Sequence, residues 1–267
     1  MNPRKRIRIC IIGAGNVATH MAAALNNVAD IAQICSRNPA HASELAAKLG
    51  PDTEGATLDA LRPDADIYII AANDDSIAAI AESTPPYPGI WAHTSGSVPV
   101  SVFAGLKSRF GSFYPLQTFS KGVPVEFDKV PMFIEGSDDS VRDELLSLAK
   151  QVSSAVETAD SERRKALHLA AVFACNFANL MWLDADTLMR HEGLTVNHLA
   201  PLLEVTLQKL RDASPKEAMT GPARRGDLAV LRAQHAALPD NLKATYALLS
   251  QRILDIYHPS LQFPADN

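Results

Sequence analysis

Short apolar runs and segments of helical period alternate along the first half of the chain, and that alternation predicts most of its architecture. "RIRICII" is an apolar run that stops at Gly13, and an alanine-rich pattern of helical spacing follows from Asn16 to about Asn26. "IAQICS" precedes "NPAHASELAAKLG", where Asn38 can cap a helix, Pro39 takes its first position and Gly50 ends it. A third buried strand, "ADIYIIAA", leads into "SIAAIAES" with Asp75 or Ser76 placed to cap, and "GIWAHT" is a fourth. "RFGSFYP" and "VPMFIEG" continue the series, and the amphipathic "DDSVRDELLSLAKQVS" closes it. Strands alternating with helices predict an α/β fold with a doubly wound parallel sheet. From about Ser153 the strand pattern stops, and helical segments are separated by "HEGLT", "DASPKEAMTGPARRGD" and "ALPDN". The expected organisation is an α/β domain over residues 1–154 followed by an all-helical C-terminal domain over residues 155–267.

Composition narrows the partners. In 267 residues, 47% are hydrophobic, 21% are charged and the formal net charge is -5, which suits a globular protein of one or two domains. The excess of clustered Lys and Arg expected of a nucleic-acid binder is missing. The basic start resembles a signal peptide, but its apolar stretch is broken by Gly13 before any small-residue cleavage pattern, so a strand is expected there. "LAAVFACNFANLMWL", from Leu169, is interrupted by Asn176 and Asn179 and falls short of the roughly 20 apolar residues of a membrane span. A buried helix is the expectation. Cys10, Cys35 and Cys175 are odd in number, far apart and set among apolar residues, as in a reduced cytosolic protein without disulfides. No spacing suggests a metal, and no G-x-S-x-G elbow suggests a serine nucleophile.

"GAGNVA" then gains meaning from its surroundings. Gly13 ends a strand, Gly15 would let the backbone approach a pyrophosphate, and Ala18 stands where the helix packs on the strand, so Gly13 to Ala18, with Asn16 and Val17 between, form a candidate cofactor loop. At the end of the second strand, where NAD-preferring sites carry Asp or Glu, the chain has Ser36 and Arg37. A hydroxyl and a guanidinium suit a 2'-phosphate, which predicts NADP rather than NAD. The alternative is a tight turn with a surface arginine. Asn73, and Thr94 with Ser95, also follow buried strands at positions that should face the cofactor, and His93 could bond cofactor or substrate. Equally, Asp75 and Ser97 could cap helices around a buried, satisfied His93.

The motifs "GAGNVA", "HTSGS", "GSFYPLQTF", "HLAAVFACNF" and "TGPARRGD" occur in this order. In them the chain resembles the proteins that pair a Rossmann-like NAD(P)-binding domain with a C-terminal helical domain of unknown function, related to pyrroline-5-carboxylate reductase, ketopantoate reductase and deazaflavin-dependent NADP reductase. The resemblance implies NADP binding and, often, a dimer whose helical domains complete the active-site cleft. One position departs from it: the family usually has His directly before Pro-Leu-Gln-Thr-Phe, and this chain has Tyr114. A tyrosine can donate a hydrogen bond, yet its pKa near 10 makes it a poor base at neutral pH. His93 and His168 are the possible substitutes. The resemblance also implies that the long apolar helix borders the nicotinamide pocket, so that His168 and Asn176 could orient a carbonyl or imine and relay a proton. At 100° per residue, Cys175, Asn179 and Asp186 fall near the face of His168, with Asn176 on the flank. These groups could instead make buried structural hydrogen bonds. In "AMTGPARRGD", Thr220, Arg225 and Asp227 match the family motif; Arg225 could clamp a substrate carboxylate, or Arg225 and Asp227 could form a salt bridge that fixes the loop, and Asp227 could cap the next helix.

The expected function is therefore a cytoplasmic NADP-dependent oxidoreductase, a homodimer through its helical domain, that moves hydride between NADP(H) and a small carbonyl, imine or hydroxy compound. The alternatives are a non-catalytic NADP-binding sensor and a deazaflavin-dependent NADP reductase. No metal, nucleic acid or membrane is expected to take part.

Overall fold

The computed structural model describes residues 6–264, so the basic residues at positions 4 and 5 lie outside the described residues. The chain divides into two compact units, Met1–Asn176 and Phe177–Asn267.

The first unit is built on an eight-stranded sheet of order β3-β2-β1-β4-β5-β6-β7-β8. Its strands are β1 (Arg8–Ile12), β2 (Asp30–Cys35), β3 (Glu54–Ala56), β4 (Ile67–Ile70), β5 (Ile90–His93), β6 (Phe110–Pro115), β7 (Met132–Gly136) and β8 (Val156–Thr158). Helices α1 (Asn16–Leu25), α2 (Pro39–Leu49), α3 (Asp74–Ser83) and α4 (Asp139–Ala149) alternate with them. Covered on both faces, β4 and β5 are buried at every position. That is why they read in the sequence as continuous apolar runs rather than as alternations. Chain order reverses between β1 and β4, and ligands of open α/β sheets bind at the carboxyl ends of strands at such a switch point.

Several details differ from expectation. β6 and β7 are antiparallel, while the pairs on either side of them are parallel, so β7 and β8 run against the other six strands. The connection from β6 to β7 has no α-helical crossover, which removes the constraint to parallel pairing. β8 continues the sheet past Ser153, and both β3 and β8 have only three residues, too short for an apolar period to register. α2 is capped as predicted, with Ala40 N–H donating to Asn38 Oδ1 at 3.0 Å. α3 instead begins at Asp74 behind Asn73, ahead of the expected Asp75 or Ser76, and Asn73 makes no side-chain cap bond.

α5 (Ser161–Ala171) ends the first unit and runs into a π-helical turn, Val172–Phe177. The second unit is helical: α6 (Ala178–Arg190), α7 (Ala200–Asp212), α8 (Pro215–Ala218), α9 (Pro222–Arg225), α10 (Leu228–Ala237) and α11 (Asp240–Tyr257). The "DASPKEAMTGPARRGD" stretch folds into two single-turn helices rather than open loop. Pro215 and Pro222 each start one, Ser214 and Glu217 cap each other across the first, and left-handed Gly226 ends the second. Asp227 caps α10, accepting from Val230 N–H at 3.2 Å, as predicted.

The segment expected to be a buried helix is helical but not buried: Leu169 and Leu183 are 59% and 61% exposed. Counting apolar positions measures the tendency to be covered, not whether the cover lies within the same chain. By length and composition the helix Ser161–Arg190 could also cross a membrane, although a single helix of this kind is weak evidence for that. Cys175 is likewise exposed rather than core, whereas Cys10 and Cys35 are buried, and burial pushes both thiols up to about 12.

Candidate active site

Two neighbouring cavities occupy the carboxyl ends of the strands, and both are formed by the first unit. The larger, about 460 Å³, is lined by Gly13, Gly15, Ser36, Arg37 and Asn73 among others. The tight approach of β1 to β4 demands glycine at position 13: its φ is +131°, and a Cβ there would lie 2.1 Å from the Ala71 carbonyl oxygen. Gly15 differs, because nothing beyond its own chain neighbours lies within 4 Å of where its Cβ would be. Its missing side chain leaves open space at the N-terminus of α1, where backbone N–H groups and the helix dipole favour an anion. Ala18 is fully buried in the core. Arg37 is exposed at the end of β2, and Ser36 Oγ accepts from Asn38 N–H at 3.3 Å. A cavity with an open glycine at a helix N-terminus and an arginine at the adjacent strand end fits a phosphorylated dinucleotide.

Asn16 does not line this cavity. Its Nδ2 donates to the Phe119 carbonyl at 2.9 Å, while His20 stacks on Phe119 and its Nε2 lies 3.0 Å from the Ser120 carbonyl. α1 thereby grips the loop that follows Tyr114.

The second cavity, about 270 Å³, gathers residues far apart in sequence: Val17, Thr94, Ser95, Tyr114, His168 and Asn176, together with Asp74, Gly96 and Cys175. Thr94 and Ser95 are both buried. The Tyr114 hydroxyl lies 3.1 Å from His168 Nδ1. Burial pushes the Tyr114 phenol up to about 12, which keeps it protonated at neutral pH. Gly96 lies against the His168 ring so closely that a Cβ would be 2.6 Å from Nδ1. The π-helical turn interrupts the 100° spacing beyond Ala171 and brings both Cys175 and Asn176 to the cavity with His168.

His93 lines neither cavity. Its ring is fully buried and stacked on Phe103, Nδ1 accepts from Ser95 N–H at 3.2 Å, and Nε2 has no hydrogen-bond partner among the described residues. Burial, helped by the Arg164 guanidinium, lowers its pKa from 6.5 to about 3. The unfolded chain therefore takes up this proton first. Stability should fall as pH drops from about 6.5 toward 3, by up to about 1.4 kcal/mol per pH unit from this group. Urea unfolding across that window should show a shallower acid limb for His93→Gln; identical limbs would exclude His93 as the cause. Thr220 and Arg225 belong to the second unit, where both are exposed. There the Arg224 guanidinium, rather than that of Arg225, stacks 4.1 Å from the Tyr257 ring.

Two residues of the site were missed in the sequence. Arg164, fully buried on α5, bonds Glu135 on β7 and the carbonyls of Ser95 and Val98. The available signals were a lone carboxylate in the apolar run "VPMFIEG" and an arginine one helical turn before His168.

The sheet order and the two cavities define a Rossmann-type dinucleotide-binding protein carrying a second, helical unit. A family described as NADP oxidoreductase, coenzyme F420-dependent, matches residues 8–101, and a domain of unknown function, DUF2520, matches residues 130–253. A candidate NADP oxidoreductase from Bacteroides fragilis is 38% identical, with 93% of this chain and 98% of that one covered at a TM-score of 0.85. The chain belongs to this family of Rossmann-like NADP oxidoreductases with a DUF2520 C-terminal domain, whose cofactor is NADP. At the level of fold, it is similar to the reductive aminase of Aspergillus terreus in complex with NADPH and ethyl-5-oxohexanoate: 16% identity, 94% of each chain, TM-score 0.73. The 1-pyrroline-5-carboxylate reductase of Streptococcus pyogenes is similar in the same sense: 11% identity, 95% of this chain and 98% of that one, TM-score 0.65. No curated protein matches the chain.

Proposed function

We propose that the protein is an NADP-dependent reductase that adds a hydride and a proton across the C=O or C=N bond of a small compound, or reverses this on a hydroxy compound. The observation that carries the reading is the 3.1 Å contact between Tyr114 Oη and His168 Nδ1 in a cavity at the strand ends. NADPH, when bound, supplies the hydride. Gly15, Ser36 and Arg37 would hold its phosphates. His168 would pass a proton to the substrate heteroatom and recover it from solvent. The Tyr114 hydroxyl both donates and accepts, so it can hold Nδ1 whether the imidazole is neutral or protonated. Thr94, Ser95 and Asn176 would orient the substrate's polar atoms.

The working unit would be a homodimer. Leu202, Leu207 and Leu210 of α7 are among the exposed large side chains, more apolar surface than a helix in water normally leaves uncovered. The free, buried thiols of Cys10 and Cys35 suit a reducing compartment such as the cytosol.

Arg37→Ala should weaken NADPH roughly tenfold or more, the value of a charge-assisted phosphate contact, while leaving NADH nearly unchanged. Equal losses for the two cofactors, followed by fluorescence titration, would remove Arg37 from the 2'-phosphate. The function itself is tested by NADPH consumption with a panel of ketones, aldehydes and imines, and separately with an oxidised deazaflavin. Turnover with the panel supports the reading. Turnover with the deazaflavin alone favours coenzyme exchange, the reading suggested by the description of the family matched at residues 8–101. Tight NADPH binding without turnover in either arm favours a sensor.

A further inference from the structure

Arg164 contributes nothing to the walls of the second cavity, yet the sequence supplies a costly residue there. A buried guanidinium needs a carboxylate and several acceptors to offset its lost hydration. Arg164 has them. Nη1 donates to Glu135, Nε to the Ser95 carbonyl at 3.1 Å, and Nη2 to the Val98 carbonyl at 2.6 Å. Ser161 closes the network: its hydroxyl donates to Glu135 Oε2 at 2.9 Å and accepts from Val100 N–H at 3.2 Å. The Ser95 hydroxyl accepts from the N–H groups of Ser97 and Val98, each at 3.0 Å, so the loop over residues 94–98 is tied from both sides.

Its neighbours explain what is being held. Arg164 and His168 are four residues apart on α5 and share a face of the helix. The loop that Arg164 grips places Gly96 on the ring of His168, and the same ring meets the Tyr114 hydroxyl. The fork therefore fixes the distance between helix and loop at the point where the imidazole is clamped. Both carbonyls that complete the acceptors of the guanidinium, those of Ser95 and Val98, belong to the loop that carries Gly96 to the ring.

We propose that Arg164, locked by Glu135, is a positioning residue that holds the 94–98 loop against His168 and so sets the orientation of the imidazole toward the substrate. The proposal rests on the reading of this cavity as the place where the proton is transferred, so its test includes a readout that needs no substrate.

Arg164→Met alone should destabilise the chain, because it takes the cation from a carboxylate that is only 16% exposed. The double variant Arg164→Met with Glu135→Leu replaces both charges by apolar groups and should recover the thermal midpoint. In that double variant we expect NADPH affinity close to wild type. The nitrogen resonance of His168 Nδ1 should move to that of a ring without its tyrosine partner, and kcat should fall roughly 100-fold with little change in KM, as for a misplaced catalytic group. Arg164→Lys keeps the charge but lacks the fork, and should show the same changes to a smaller degree in a chain that folds. A recovered double variant, or a folded Arg164→Lys, with a wild-type Nδ1 resonance would overturn the proposal and leave Arg164 a structural residue. A wild-type protein that reduces nothing would count against the proposed function, while the resonance would still decide the role of Arg164.

Discussion

His168→Ala is expected to lower turnover roughly 100-fold to 10,000-fold, the usual contribution of a positioned acid or base, while NADPH still binds. Three independent features support so large an effect. The ring is clamped between the Gly96 backbone and the Tyr114 hydroxyl, it lines the cavity at the strand ends, and its tyrosine partner stays protonated until about pH 12. Tyr114→Phe preserves the aromatic packing and removes only the hydroxyl, so its loss should be smaller and should fall on kcat rather than on NADPH affinity. Tyr114→His restores the residue usual in the resembling family, but it shortens the reach to Nδ1 and should not reproduce wild-type activity. Steady-state rates with the best carbonyl or imine substrate check all three. A His168→Ala protein with unchanged turnover would remove the imidazole from the chemistry.

The second large effect separates two glycines that the sequence presents as a pair. Gly13→Ala should destabilise the chain by about 3 kcal/mol or more, because an L-residue at φ +131° is strained and its Cβ would meet the Ala71 carbonyl oxygen at 2.1 Å. Gly15→Ala meets nothing, and its backbone is an ordinary extended N-cap, with φ -83° and ψ -166°. Its stability should stay within about 1 kcal/mol of wild type. Its NADPH affinity should nevertheless fall tenfold or more, since the methyl group takes the space that the phosphates need. Denaturant unfolding and cofactor titration of the two variants give the comparison. Equal damage to folding in both would mean that the loop is only a tight turn.

The sheet was legible because buried parallel strands must be continuously apolar, as "IYII" and "IWAH" are, and because Asn38, Pro39 and Gly50 mark a helix at both ends. β3 and β8 escaped because edge strands of three residues bury too little to need a pattern. The reversal at β7 escaped because it depends on the route of the preceding loop rather than on β7 itself. The glycine loop at the end of β1 was legible as a local motif. The second cavity was legible only as separate candidates, since Tyr114 and His168 are 54 residues apart and meet only when α5 packs beside β6. Arg164 and Glu135, 29 residues apart, could not be joined for the same reason: each leaves a local signal, but a charge in a sequence looks solvated until its partner is placed. A π-helical turn, which has no propensity signature comparable to proline or glycine, follows Ala171, and Cys175 and Asn176 line the cavity together with His168.

The most direct test of the central claim is to give the protein NADPH carrying deuterium on the transferable position of the nicotinamide, together with a panel of ketones, aldehydes and imines, and to follow the label. The account predicts deuterium on the former carbonyl or imine carbon of at least one product, and its loss in His168→Ala under conditions where NADPH remains bound. Saturated binding of NADPH with no label in any product would contradict it.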